Sequence, residues 1–154
     1  MAVPEDTEPG GTELHPEPIG TPLSCRDVVA EPGALRALRH RLTAWVRAAG
    51  IPEDRGQDIV LASYEALANV ADHAYGGDGR GLVDLDAVVL PDRVEVVITD
   101  HGHWRAPIDD PNPVSLRGRG LLLLRASADH ADITGGVDGT VVTLGWNLSP
   151  ARSY

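Results

Sequence analysis

The chain has 154 residues, 42% of them hydrophobic, and a formal net charge of −10. That suits one domain with a core, and it argues against a nucleic-acid binder, which needs clustered cations for phosphates. No apolar run nears membrane-spanning length, no basic segment leads into an apolar one, and the lone Cys25 allows neither an internal disulfide nor a cysteine-built zinc site.

Composition therefore predicts a cytoplasmic protein with a free structural thiol. The 13 basic residues counted as Lys plus Arg are all arginine. A P-loop NTPase and a protein-kinase fold each need a lysine on the phosphates, so both are excluded. Residues 1–21 read as a disordered acidic tail, with Glu5, Asp6, Glu8, Glu13 and Glu17 among prolines and glycines. Residues 22–150 read as the folded domain.

Pro22 to Ala30 reads as a first strand. Pro32 to Ala49 reads as a helix, with Leu35, Leu38, Leu42, Trp45, Val46 and Ala49 on one face, Pro32 in the first turn and Gly50 as the stop. Its other face carries Arg36, Arg39, His40, Arg41 and Arg47. Glu53 to Ala74 reads as a second helix that opens after Pro52 and ends at Gly76-Gly77. Gly81–Leu90 and Arg93–Thr99 read as strands joined at Pro91-Asp92. His101 to Arg117 reads as a loop rich in helix breakers, and Gly118–Ser127 as a glycine-started helix. Asp129–Thr134 and Thr140–Trp146 read as a closing strand pair. Early helices followed by paired strands predict an α+β, two-layer α/β sandwich: a mixed, mostly antiparallel sheet with about three helices on one face.

Three groups of residues carry chemistry. On the second helix Glu65, Asn69 and His73 recur at every fourth position, beside Asp72, and so share one face of an otherwise apolar helix. An amide oxygen there suits Mg²⁺, and a carboxylate suits a base toward a hydroxyl; a solvated polar face has the same spacing. At the end of a strong strand, Asp100-His101-Gly102 offers an acceptor above a tight chain turn, or a plain turn. His101 and His103 form an HxH pair that lacks further ligands nearby, which favours solvent-facing histidines over a zinc site. Arg117-Gly118-Arg119-Gly120-Leu121 opens a helix with glycines and two arginines, the makings of an anion cradle or of an ordinary loop-to-helix junction. Together these suit a nucleotide bound without a P-loop.

The chain resembles the bacterial anti-sigma-factor serine kinases of the GHKL superfamily, with their Bergerat ATP-binding fold. EALANVADHAY (Glu65 to Tyr75) looks like the N box, and Asp100-His101-Gly102 like the G1 box. Gly118-Arg119-Gly120-Leu121 looks like G2, and Gly139 to Leu144 (GTVVTL) like the closing G3-type strand. In one departure, Gly102 is followed by His103 and Trp104 where a second G1 glycine is common. The resemblance implies ATP and Mg²⁺ as cofactors, with Asn69 as the metal ligand and Glu65 as the catalytic base. It implies nucleotide contacts from Asp72, His73, Asp100, Gly102, Arg117, Gly118, Arg119, Gly120 and Leu121, an adenine pocket closed by Thr140 or Thr143, and an ATP lid over residues 103–117. It further implies a homodimer that binds a sigma factor and phosphorylates a serine on a small antagonist protein. A non-catalytic, ATP-sensing binding module is the alternative, and Glu65 weighs against it, since a pure binder has no use for a base beside the phosphate.

Overall fold

The computed structural model describes residues 16–74, 81–101, 127–136 and 139–148, with the backbone alone for Val70 to Ala74. The elements are β1 (Ile19–Val29), α1 (Pro32–Ala48), α2 (Glu53–Ala74), β2 (Leu82–Val89), β3 (Arg93–Asp100), β4 (His130–Gly136) and β5 (Gly139–Asn147). The sheet order is β1-β2-β3-β5-β4, and each described ladder is antiparallel. The expected α+β sandwich with a mostly antiparallel sheet is borne out, and among the described residues no parallel pair occurs. β1 begins at Ile19, so Ile19, Gly20 and Thr21, read from sequence as tail, are strand. Of the expected third helix only Ser127 lies within the described residues, and it is helical.

α1 forms because Pro32 presets its first turn and its apolar residues recur at helical spacing. It ends where Gly50 takes φ +72°, a conformation glycine adopts without a side-chain penalty. Leu35, Leu38, Leu42 and Val46 are buried, as the periodicity predicts. Trp45 lies at the flank, half-buried, and its indole N–H donates to the Thr21 carbonyl at 2.9 Å, tying α1 to the start of β1. α2 carries Glu53 and Asp54 in its positive first turn and buries Ile59, Val60, Ala62, Ser63, Ala66 and Leu67.

Under the helices lie the core-facing rows of the sheet: Val83, Leu85 and Ala87 on β2, Val94, Val96 and Ile98 on β3, Val142, Leu144 and Trp146 on β5. Each aliphatic side chain so buried contributes roughly 1.5–3 kcal/mol. Trp146 is wholly buried and satisfies its N–H on the Ser127 carbonyl at 2.8 Å. Cys25 packs in the same core, where burial pushes its thiol pKa up, against the lowering effect of Arg41. The opposite face of β3, with Arg93, Glu95, Val97 and Thr99, is half-exposed, so the helices cover one face only. Among the described residues no helix is long and apolar enough to cross a membrane.

The two helices meet where α2 has no side chain. A Cβ built at Gly56 would sit 2.6 Å from Val46 Cγ1, and that valine methyl is stiff and buried. Gly56→Ala is expected to destabilise the fold by about 1–3 kcal/mol despite the better helix propensity of alanine. Urea unfolding of the variant checks this, and an unchanged midpoint would show that the helix pair can separate freely.

Candidate functional site

The direction of α2 places the site. Arg55, in its first turn, pairs with Asp129 (Nη1–Oδ2, 3.3 Å), and the same Asp129 oxygen accepts from the Asn147 backbone N–H at 2.7 Å. The helix thus starts over the end of β5. It contacts both β3 and β5, and a helix lying along those strands runs toward the opposite end of the sheet. At 1.5 Å per residue Asn69 lies about 21 Å beyond Arg55. Thr140 lies about 23 Å back along β5 from Asn147. The second half of α2, with Glu65 and Asn69 both half-buried, therefore lies over the sheet end that carries Asp100 and Thr140.

At that end β3 and β5 run in register up to Thr99 opposite Val141, so Asp100 and Thr140 are the next facing residues. Both belong to the rows that face the helices, and both are buried. The Thr140 hydroxyl has no hydrogen-bond partner among the described residues. A buried hydroxyl without a partner is costly, and a ligand or a water reaching it would remove the cost. Gly139 takes φ +132°, and a Cβ there would run into the Asp100 carbonyl. The glycine is required twice over: for its backbone conformation, and so that β5 can start against the end of β3. Ser63 is a second buried hydroxyl without a described partner, deeper along α2 among core side chains.

The reverse face of this sheet end is also polar. Asp84 Oδ1 accepts from the Asp27 backbone N–H at 2.8 Å, and Oδ2 meets His101 Nε2 at 2.9 Å and Arg26 Nη1 at 3.5 Å. Burial alone would raise the Asp84 pKa, but the hydrogen bonds from Asp27 and His101, with the charge of Arg26, bring it below the ordinary carboxylate value. Asp86 extends the group to Arg26 at 2.9 Å and Ser24 at 3.0 Å.

Of the residues expected from sequence, Glu65, Asn69, Asp100 and Thr140 are brought to one end of the fold. Asp72 and His73 lie on α2, where the backbone alone is described. Gly102, Arg117, Gly118, Arg119, Gly120 and Leu121 lie outside the described residues, as does His103. Thr143 is corrected: it sits opposite Val97 and Asp132 on the face away from the helices, because three steps along a strand reverse the side. His101 is half-exposed, as expected, but paired to Asp84. Among the described residues no cluster of three His, Cys, Asp or Glu could hold a metal. Asp84 and the spatial role of Gly139 escaped the sequence reading.

Residues 28–146 match the Histidine kinase-like ATPase domain family, and the chain belongs to that family. Within it the chain is similar to curated proteins named serine-protein kinase RsbW. That of Halalkalibacterium halodurans is 34% identical over 54% of this chain and 58% of its own length. That of Bacillus velezensis is 32% identical over 49% of this chain and 47% of its own length. The chain thus spans about half the length of these curated relatives. Among solved structures, the RsbU and RsbW domains of a Mycobacterium tuberculosis protein align at TM-score 0.67 and 27% identity, covering 86% of this chain and 34% of that one. A chain of the SiaB–SiaC complex of Pseudomonas aeruginosa aligns at TM-score 0.56 and 13% identity over 80% of this chain and 88% of that one, a likeness of fold alone.

Gly139→Ala tests the strand junction. It should cost about 1–3 kcal/mol of stability through the strained backbone, and more if Asp100 cannot move aside. A thermal melt that matches wild type would show that β5 does not need to start against Asp100.

Proposed function

We propose that this chain is a cytoplasmic, ATP-binding anti-sigma regulator, active as a homodimer, that sequesters a sigma factor and phosphorylates a serine on a small antagonist protein. The observation that carries the reading is the buried pair at the sheet end: an acidic acceptor, Asp100, facing a hydroxyl, Thr140, that has no described partner, under a half-buried Glu65 and Asn69. Similarity to the RsbW serine-protein kinases supports it.

The residues fit the nucleotide. Asp100 can accept from the exocyclic amine of adenine, and the Thr140 hydroxyl can bond the ring directly or through water. Asn69, with an amide oxygen, suits Mg²⁺, which keeps most of its shell as water and phosphate oxygen. Mg²⁺, when bound, neutralises phosphate charge. The protein's own contribution is positioning and a base. Glu65, one turn before Asn69, takes the proton of the antagonist's serine hydroxyl as that oxygen bonds the γ-phosphorus and the bond to the ADP oxygen breaks.

Asp100→Asn is expected to weaken ATP and ADP by roughly 1.5–3 kcal/mol, the worth of a charged hydrogen bond. Glu65→Gln is expected to bind ATP as wild type does and to lose phosphoryl transfer. Calorimetry and a labelled-ATP assay with the antagonist encoded nearest to the gene measure both. Unchanged affinity in Asp100→Asn removes that residue from the site; absence of transfer by wild type to every candidate antagonist leaves an ATP-sensing binding module.

The partner surface is argued from charge. Arg36, Arg39, Arg41 and Arg47 are exposed on α1, and none forms an ion pair among the described residues. Arg39 stacks over Tyr64 at 5.2 Å and lines, with Arg47, Val46, Ile51, Val60 and Leu61, a cleft of about 630 Å³ between α1 and α2, on residues other than the nucleotide set. In a chain of net charge −10 this stripe would steer an acidic partner. Reversing Arg36 and Arg39 to Glu should spare ATP affinity and slow partner association, most at low salt. Association that is unchanged at low salt would move the partner site elsewhere.

A further inference from the structure

The cluster behind the sheet touches the candidate site through the chain itself. Asp100 and His101 are consecutive, so their side chains leave opposite faces of the strand end. Asp100 turns under the helices, and His101 turns back to Asp84. The ladder with β2 ends at Val83 opposite Asp100, and that with β5 at Thr99 opposite Val141. Asp84 lies opposite Thr99 on β2, which makes His101, two residues on, its diagonal neighbour on the same face.

The carboxylate is itself fixed from β1. A register shift between Cys25 and Val28 places Arg26 and Asp27 against Asp84. Asp27 takes φ +54°, a conformation that disfavours side chains but is tolerated by Asp, and in it the backbone N–H donates to Asp84 Oδ1. Oδ1 is thereby committed to β1, and Oδ2 is aimed across β2 at the end of β3. The Asp84 side chain is 8% exposed, so this link is little weakened by solvent. Closing the sheet edge would need only the β1 contacts. The contact to His101 reaches further, to the residue that follows Asp100.

We infer that Asp84 is a positioning residue of the nucleotide site: from behind the sheet it holds His101, and through the shared peptide it fixes the direction in which Asp100 meets the base. The inference rests on the nucleotide-binding reading above. On the β5 side the same peptide is approached so closely by Gly139 that no side chain would fit there.

The test uses His101→Ala, Asp84→Asn and the double variant in the full chain, with ADP and GDP affinities measured calorimetrically with Mg²⁺ and a melting temperature taken alongside. His101→Ala is expected to weaken ADP about tenfold, a typical effect for a residue that touches no ligand. GDP, which lacks the amine that Asp100 reads, should change little, so the preference for adenine narrows. The double variant should be no worse than the weaker single one, because the two side chains act as one unit. Equal losses for ADP and GDP, or unchanged affinities in both single variants while Asp100→Asn loses ADP, would reduce the cluster to closure of the sheet edge and overturn the inference. If Asp84→Asn does not fold, His101→Ala alone decides, since His101 is half-exposed and its truncation leaves no cavity. Wild-type protein that binds neither nucleotide would defeat the nucleotide reading itself, and this inference with it.

Discussion

The antiparallel register of β3 on β5 runs from Arg93 opposite Asn147 to Thr99 opposite Val141, and it leaves Asp100 and Thr140 as the next residues to face one another. The other features of the site follow from that pairing. With a period of two, both side chains fall on the row that continues Val96, Ile98, Val142 and Leu144. The apolar core therefore gives way to a buried acceptor and a buried hydroxyl at one end of the sheet. β5 can begin there only without a side chain, which places Gly139 against the Asp100 carbonyl. α2 pairs with Asp129 at its start through Arg55 and carries Glu65 and Asn69 in its second half.

The one-sided covering of the sheet has a second consequence. The face away from the helices is free to carry charge, and at the end near Asp100 it carries Arg26, Asp84, Asp86 and His101. A strand end in a two-layer fold therefore has two chemistries, one per side, joined by a single peptide. A fold with helices on both faces of its sheet would have no room for this arrangement, since charges on the reverse face would have to be buried too.

Much of this was legible in the sequence, where the signal is local. Pro32, Gly50 and Pro52 punctuate the helices, and α1 and α2 start at the residues predicted. The period-two runs mark β2, β3 and β5 to within a residue or two. Asp100 and Thr140 were legible as strand-terminal residues next to glycines. The strand order β1-β2-β3-β5-β4 was not, because it depends on pairings between distant segments. Thr143 was misplaced even though the signal was present: an odd separation from Thr140 puts the two on opposite faces of one strand. The link from Asp84 to His101 has no local signature. It depends on the β2–β3 register and on a bulge in β1 that no residue type in PLSCRDVVA announces.

Buried polar groups oppose folding unless something satisfies them, and in this chain they gather where a ligand would enter. The rest of the core is apolar, with Trp146 and its Ser127 acceptor as a satisfied exception and Ser63 as an unsatisfied one. The cost of the Thr140 hydroxyl is tolerable because Thr140 lies at the rim of the sandwich and not at its centre. Placing them there also couples binding to stability. A molecule that bonds the Thr140 hydroxyl and the Asp100 carboxylate binds the folded chain and not the unfolded one, so it shifts the folding equilibrium by mass action. The Thr140 hydroxyl that weakens the empty fold is then one that a bound ligand would turn to its support.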